Sequence, residues 1–170
     1  MKTLLCVVLL GISGLLVQTA LGCTCIKTDT SESGVKDPVK ARENLRRYYL
    51  NEFRGALFTG TVISREQVSR VIDQDYSIKE NKVTVRVDKY WLGITDPITV
   101  IFTGLGGGDC GVYFEVGKQY LFEPQLIDGK LRSGHCEYDT EDSKLPNGKA
   151  AAELEEVLGK PKRFSQKPKN

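Results

Sequence analysis

Ala56-Leu57-Phe58-Thr59-Gly60-Thr61-Val62-Ile63 is β-branched and aromatic, and it is bounded by Gly55 on one side and charged residues on the other. Such composition suits a pleated, half-buried surface, so the run predicts a strand. The polar stretch that follows, to Asn81, carries scattered Val and Ile and extends the strand toward a hairpin. Val83, Val85 and Val87 then alternate with Thr84, Arg86 and Asp88 at the period of a second, half-buried strand, before Tyr90-Trp91 and a turn at Gly93. A third strand runs from Ile98 to Thr103 and ends at Gly104. Tyr120 to Ile127, the Asp128-Gly129 turn, and Leu131 to Cys136 predict a closing hairpin. Five strands and a mainly β domain are expected.

Upstream, Asp37-Pro38 supplies an N-cap followed by proline at the first helical position, and Val39, Arg42, Leu45, Tyr49 and Phe53 recur at helical spacing. A helix over roughly 38–53 is predicted, with Arg46-Arg47 on a solvated face. The polar, Ser/Thr/Gly-rich stretch from Ile26 to Lys36 reads as a surface loop. Residues 1–22 read as a secretory signal peptide: Lys2 is the basic start, Leu4 to Leu16 the apolar segment, and Ala20-Leu21-Gly22 a small-x-small cleavage site. Leu21-Gly22-Cys23 also resembles the end of a bacterial lipobox, although Ala20 stands where such a box usually has Leu.

Downstream, an acidic link after Asp139 leads to Ala150 to Leu158, where Ala151, Leu154, Val157 and Leu158 mark a short amphipathic helix. Residues 160–170 hold five Lys/Arg and no acid, a tail read chiefly as disordered and solubilising, with sulfated matrix glycans as a possible partner. The domain organisation expected is a leader over 1–22, one compact domain over 23–145, and the helix with its basic tail over 146–170. No later stretch has the length of a membrane span. A formal charge of +2 over 170 residues, without aromatics interleaved among basic runs, argues against nucleic acid. The mature chain is expected to be extracellular and monomeric.

Cleavage after Gly22 would leave Cys23, Cys25, Cys110 and Cys136, an even set in an oxidising compartment, and predicts two disulfides. Bridging Cys23 to Cys25 would close a very tight ring, so each is expected to join a distant cysteine. Gly106-Gly107-Gly108-Asp109-Cys110-Gly111 lacks the Lys-Ser/Thr ending of a phosphate loop, and its glycines read as permitting the sharp turn that brings Cys110 to its partner. The single histidine, His135, cannot complete a zinc set without breaking the disulfides. A Cys-x-Cys thiol oxidoreductase is conceivable, but Ile26-Lys27-Thr28-Asp29 shows no helical pattern after the cysteines. The residues give no positive argument for an enzyme, and no cofactor of the chain's own is expected.

The mature Cys-Thr-Cys terminus, the Phe-Thr-Gly-Thr-Val-Ile strand after a helix, Cys110-Gly111, and Asp128-Gly129-Lys130-Leu131 running into Cys136 resemble the N-terminal, netrin-like domain of the tissue inhibitors of metalloproteinases. The resemblance spans roughly Cys23 to Tyr138. It implies an OB-fold, a five-stranded Greek-key barrel with helices packed on it, and pairings of Cys23 with Cys110 and Cys25 with Cys136. It also implies inhibition of secreted zinc metalloproteases. The Cys23 α-amine and carbonyl would chelate the partner's zinc, Thr24 would enter the pocket beside the metal, and Cys25, Ile26, Gly108 and Asp109 would widen the contact. The chain departs from the family in lacking its His-Pro stretch, its third N-terminal disulfide and the six-cysteine C-terminal domain. Those departures bear on target range and potency more than on fold. Non-inhibitory netrin-like modules of the matrix share the scaffold and form the alternative reading.

Overall fold

A computed structural model describes residues 37–106, 109–134 and 148–164. Helix α1 spans Pro38–Arg47 and continues as a wider π-helical turn over Tyr48–Glu52. Asp37 caps it, its carboxylate accepting from Val39 N at 2.9 Å. The two tyrosines of the wide turn and Phe53, which follows it, pack on one another with ring centroids 5.4 to 6.1 Å apart. The helical extent agrees with the sequence expectation to within a residue.

Six strands follow: β1 Leu57–Val71, β2 Ser77–Leu92, β3 Ile98–Thr103, β4 Gln119–Phe122, β5 Gln125–Ile127 and β6 Lys130–Arg132. They form one sheet in the order β4-β1-β2-β3-β6-β5, antiparallel throughout except for β3 and β6. The fold is therefore mainly β, but the expected count of five is corrected to six, because the predicted strand from Tyr120 to Ile127 is broken at Glu123-Pro124. Pro124 has no N–H to give a ladder. Its carbonyl still accepts from Ala56 N at 3.0 Å, and Leu126 N donates to Arg54 O at 2.7 Å. Those two bonds bring the far edge of the sheet back beside the chain that leads into β1. Three register shifts between β1 and β2 accommodate the curl.

Strand alternation divides the apolar residues between two faces. Phe58, Val62, Val83, Val85, Tyr120 and Phe122 fill the inside of the curl together with Ile101 and Phe114. Leu57 and Leu121, one position out of phase, pack outward against Tyr49, Phe53, Ala150 and Leu154. Ala150 and Leu154 belong to α2, Lys149–Leu158, which lies where the sequence placed a helix. Arg42 of α1 pairs with Glu156 at 2.6 Å. Arg46 also reaches the α2 carbonyl of Val157 at 3.2 Å, so one of the two arginines read as merely solvated ties the helices together.

The C-terminal segment differs from expectation over its first residues. Lys162 exchanges backbone hydrogen bonds with Tyr90 at 2.7 and 3.0 Å, and Phe164 stacks on the Tyr90 ring at 4.9 Å. Trp91 Nε1 donates to Gly159 O at 2.9 Å. The segment read as a disordered tail is thus docked on β2 as far as Phe164, because its one aromatic finds a ring to cover.

β4 pairs with β1 only over 58–61, and β3 with β2 only over 81–86. Among the described residues, 68–71 and 77–80 therefore pair only with each other, as a two-stranded ribbon tipped by exposed Val71, Ile72 and Tyr76. No helix among the described residues is long and apolar enough to cross a membrane.

Candidate functional site

Of the residues singled out from sequence, Asp109 and Cys110 lie among those described. Cys23, Thr24, Cys25, Ile26, Gly108 and Cys136 lie outside them, as do the expected leader and His135. Cys110 is disulfide-bonded, and its partner also lies outside the described residues.

The loop that carries Cys110 leaves the end of β3 between fixed points. Asn81 of β2, largely buried, donates from Nδ2 to Gly104 O at 3.0 Å. Thr103 Oγ1, also buried, accepts from Val112 N at 2.8 Å. Beyond Cys110, the Arg65 guanidinium lies 3.8 Å from the Tyr113 ring centroid, and donates to Tyr113 OH at 2.9 Å and to Phe114 O at 3.3 Å. Both ends of the loop are thereby tied to the β1–β2 pair. Sequence reading missed Arg65, Asn81 and Thr103. Thr103, the last residue of β3, and Asn81, its register partner within β2, carried no local signal beyond being polar.

Inside the loop, the Asp109 carboxylate accepts three backbone N–H groups: Leu105 at 2.5 Å, Gly106 at 2.9 Å and Gly111 at 3.1 Å. Burial works against its charge, but the amides of Leu105, Gly111 and Gly106 outweigh that effect and hold the carboxyl below its ordinary value. Glycine is needed where the loop closes: a Cβ on Gly104 would lie 2.6 Å from an Asp109 oxygen, and one on Gly111 would collide with the Gly104 backbone. Cys110 itself holds a positive φ of 57°, a conformation that L-residues rarely adopt. The glycines therefore do more than permit a turn: they make room for a carboxylate that closes it.

β6 ends beside this loop. Ser133 N donates to Phe102 O at 2.9 Å, and a Cβ on Gly134 would lie 3.5 Å from the Cys110 carbonyl oxygen. The chain two residues ahead of Cys136 thus runs next to Cys110. Among the described residues no group of three His, Cys, Asp or Glu is placed to hold a metal ion.

Away from this loop, a concave region of about 810 Å³ is lined by Arg86, Asp88, Lys89, Gln119, Arg163 and Phe164, with Val87 and Pro97. Asp88 is already engaged, accepting from Gln119 Nε2 at 2.6 Å and Thr61 Oγ1 at 3.2 Å. No family model matches the chain, and no curated protein matches it either.

Proposed function

We propose that this chain is a secreted inhibitor of zinc metalloproteases, acting through the amino terminus created by cleavage before Cys23. The observation that carries the reading is the adjacency of Cys110 to Gly134. Cys23 and Cys25 are only two positions apart, so their α-carbons lie within roughly 7 Å. A disulfide adds at most about 7 Å more on each side. Two partners serving that terminus must therefore lie within roughly 21 Å of each other, a condition that Cys110 and Gly134, on the approach to Cys136, meet with room to spare. Pairing of Cys23 with Cys110 and of Cys25 with Cys136 would staple the terminus to this end of the sheet.

The connectivity supports an OB-type barrel. Counted as one strand interrupted by Pro124, β4 and β5 reduce the sheet to five strands, and the Leu126 to Arg54 bond brings the last back to the first. A ring with an odd number of strands cannot be antiparallel at every junction. The parallel β3–β6 contact supplies the odd junction, in keeping with a five-stranded Greek-key barrel.

The chemistry of the terminus suits the task. A catalytic zinc keeps one position for water, and the neutral amine and carbonyl oxygen of Cys23 would displace it as a five-membered chelate. An α-amine with an ordinary pKa of about 7.7 to 8.0 releases its proton to zinc more readily than a lysine. Thr24 would enter the pocket beside the metal, and Cys25, Ile26 and the Gly108-Asp109 segment would extend the contact. A terminus already held by disulfides loses little conformational freedom on binding. The zinc belongs to the partner, and the inhibitor needs no cofactor of its own.

The test is inhibition of a panel of secreted zinc metalloproteases by the purified secreted chain, its first residue established as unmodified Cys23 by mass spectrometry. Thr24→Gly is expected to weaken inhibition by about 1 to 3 kcal/mol, unequally across proteases with different pockets and without loss of stability. No inhibition of any protease by a chain that begins at free Cys23 would refute the reading.

The alternative, a netrin-like matrix module that does not inhibit, draws on the concave region lined by Arg86, Lys89 and Arg163. Arg86, Lys89 and Arg163 converge there around one acid, and the sequence continues into Lys167 and Lys169. A sulfated glycan would be the partner. Retention on immobilised heparin is expected to fall sharply with salt and to drop in a Lys89→Ala, Arg163→Ala variant. Unchanged retention of that variant would place any glycan contact elsewhere.

A further inference from the structure

The Asp109 side chain is turned toward its own loop. Its two oxygens take the N–H groups of Leu105, Gly106 and Gly111, and the Gly104 α-carbon lies beneath them with no room for a Cβ. Three donors from both sides of the turn meet at one carboxylate, and the residue between Asp109 and Gly111 is the disulfide-bonded Cys110 with its positive φ. The backbone path on either side of the crosslink is thus fixed by one side chain. Among the described residues the bonds to this carboxylate come from backbone amides alone.

We propose that Asp109 is a positioning residue, which sets the Cys110 turn so that the crosslinked terminus is presented in one orientation, and that its carboxylate does not itself contact the partner. The setting of the Cys110 turn stands on its own geometry, whereas the presentation of the terminus and the lack of contact rest on the inhibitory reading with its Cys23–Cys110 pairing. A direct contact would lend its side chain to the protease, whereas this one is occupied before any partner arrives. Ionised carboxylates accept backbone N–H bonds more strongly than neutral groups do. Asn at this position offers one acceptor oxygen in place of two, and its NH₂ faces an N–H donor. Ala offers none.

The experiment uses the full secreted chain carrying Asp109→Asn or Asp109→Ala. Two readouts report on the loop alone. The amide resonances of Leu105, Gly106 and Gly111 in the native protein are expected to shift together with pH, at one midpoint below that of a free aspartate, and to lose that shared transition in both variants. The Cys110 disulfide is expected to be reduced by dithiothreitol about tenfold faster in Asp109→Ala, with Asp109→Asn between Ala and native. The third readout is inhibition, expected to weaken about tenfold in Asp109→Ala by the same factor against every sensitive protease, with partial rescue in Asp109→Asn.

Native amide shifts and native reduction rate in Asp109→Ala would overturn the positioning role. A loss of inhibition that varies widely from one protease to another would overturn the claim that the Asp109 carboxylate makes no contact, the segment's backbone being left to touch the partner. So would unchanged inhibition overturn the link between this turn and the terminus. If the native chain inhibits nothing, the inhibitory reading fails while the resonance and reduction measurements still decide whether Asp109 sets the turn.

Discussion

A chain with one additional Ala ahead of Cys23 is expected to lose zinc-directed inhibition by about a thousandfold or more, roughly 4 kcal/mol, while its fold is unchanged. The extension turns a basic amine into an amide nitrogen, which has no lone pair to offer zinc at neutral pH. It also puts a residue where the metal would sit. Both disulfides should still form, since the added residue lies outside the loops that they close. The measurement is the inhibition constant of the extended and native forms against the same protease, with thermal unfolding as the check on folding. Equal inhibition by the two forms would rule out the chelating amine and favour a netrin-like module that works through another surface.

Phe122→Ala is expected to destabilise the domain by about 3 to 5 kcal/mol. Phe122 is fully buried, stacks on Phe58 at 4.9 Å, and packs against Phe114 at 5.1 Å and Tyr120 at 5.8 Å. Phe58 and Phe122 are also register partners across β1 and β4, so the cavity would open beside the closure between the first and fourth strands. A small domain that loses this much is left with little margin. Urea unfolding followed by tryptophan fluorescence gives the value, and a loss below about 1 kcal/mol would mean that the inside of the curl is not packed around this ring.

How much of this could be read from the chain depends on the kind of signal. Val83, Val85 and Val87 alternate cleanly and are buried, and the Asp37-Pro38 start places α1 because cap chemistry is local. The π-helical turn at Tyr48–Glu52 has no such local mark; it accompanies the packing of Tyr48, Tyr49 and Phe53 on one another. Pro124 is a strand breaker in plain view. The apolar run around it reads as one strand unless the missing N–H is given its due. Phe164 was hidden by its surroundings, since a single aromatic among lysines weighs little in a composition count but suffices to cover Tyr90.

The candidate site divides in the same way. Cysteine spacing singled out Cys110, and the cysteines it was expected to join lie outside the described residues. The role of Asp109 was not legible, because which amides a carboxylate meets depends on a loop closing through Gly104 and Gly111. Arg65 was out of reach for a similar reason: its contact with Tyr113 joins positions 48 apart.

The ribbon formed by the outer halves of β1 and β2 bears on how copies of this chain behave toward one another. A strand with an unpaired flank is a template on which another chain can build, and among the described residues 65–71 and 77–80 each leave such a flank. Arg65, Glu66, Arg70 and Lys79 punctuate them with charges of both signs. A second ribbon laid alongside would have to strip water from these groups without any assurance of meeting opposite charges. The protruding arm thus carries its own protection against edge-to-edge aggregation, and the apolar cluster of Val71, Ile72 and Tyr76 is confined to its tip.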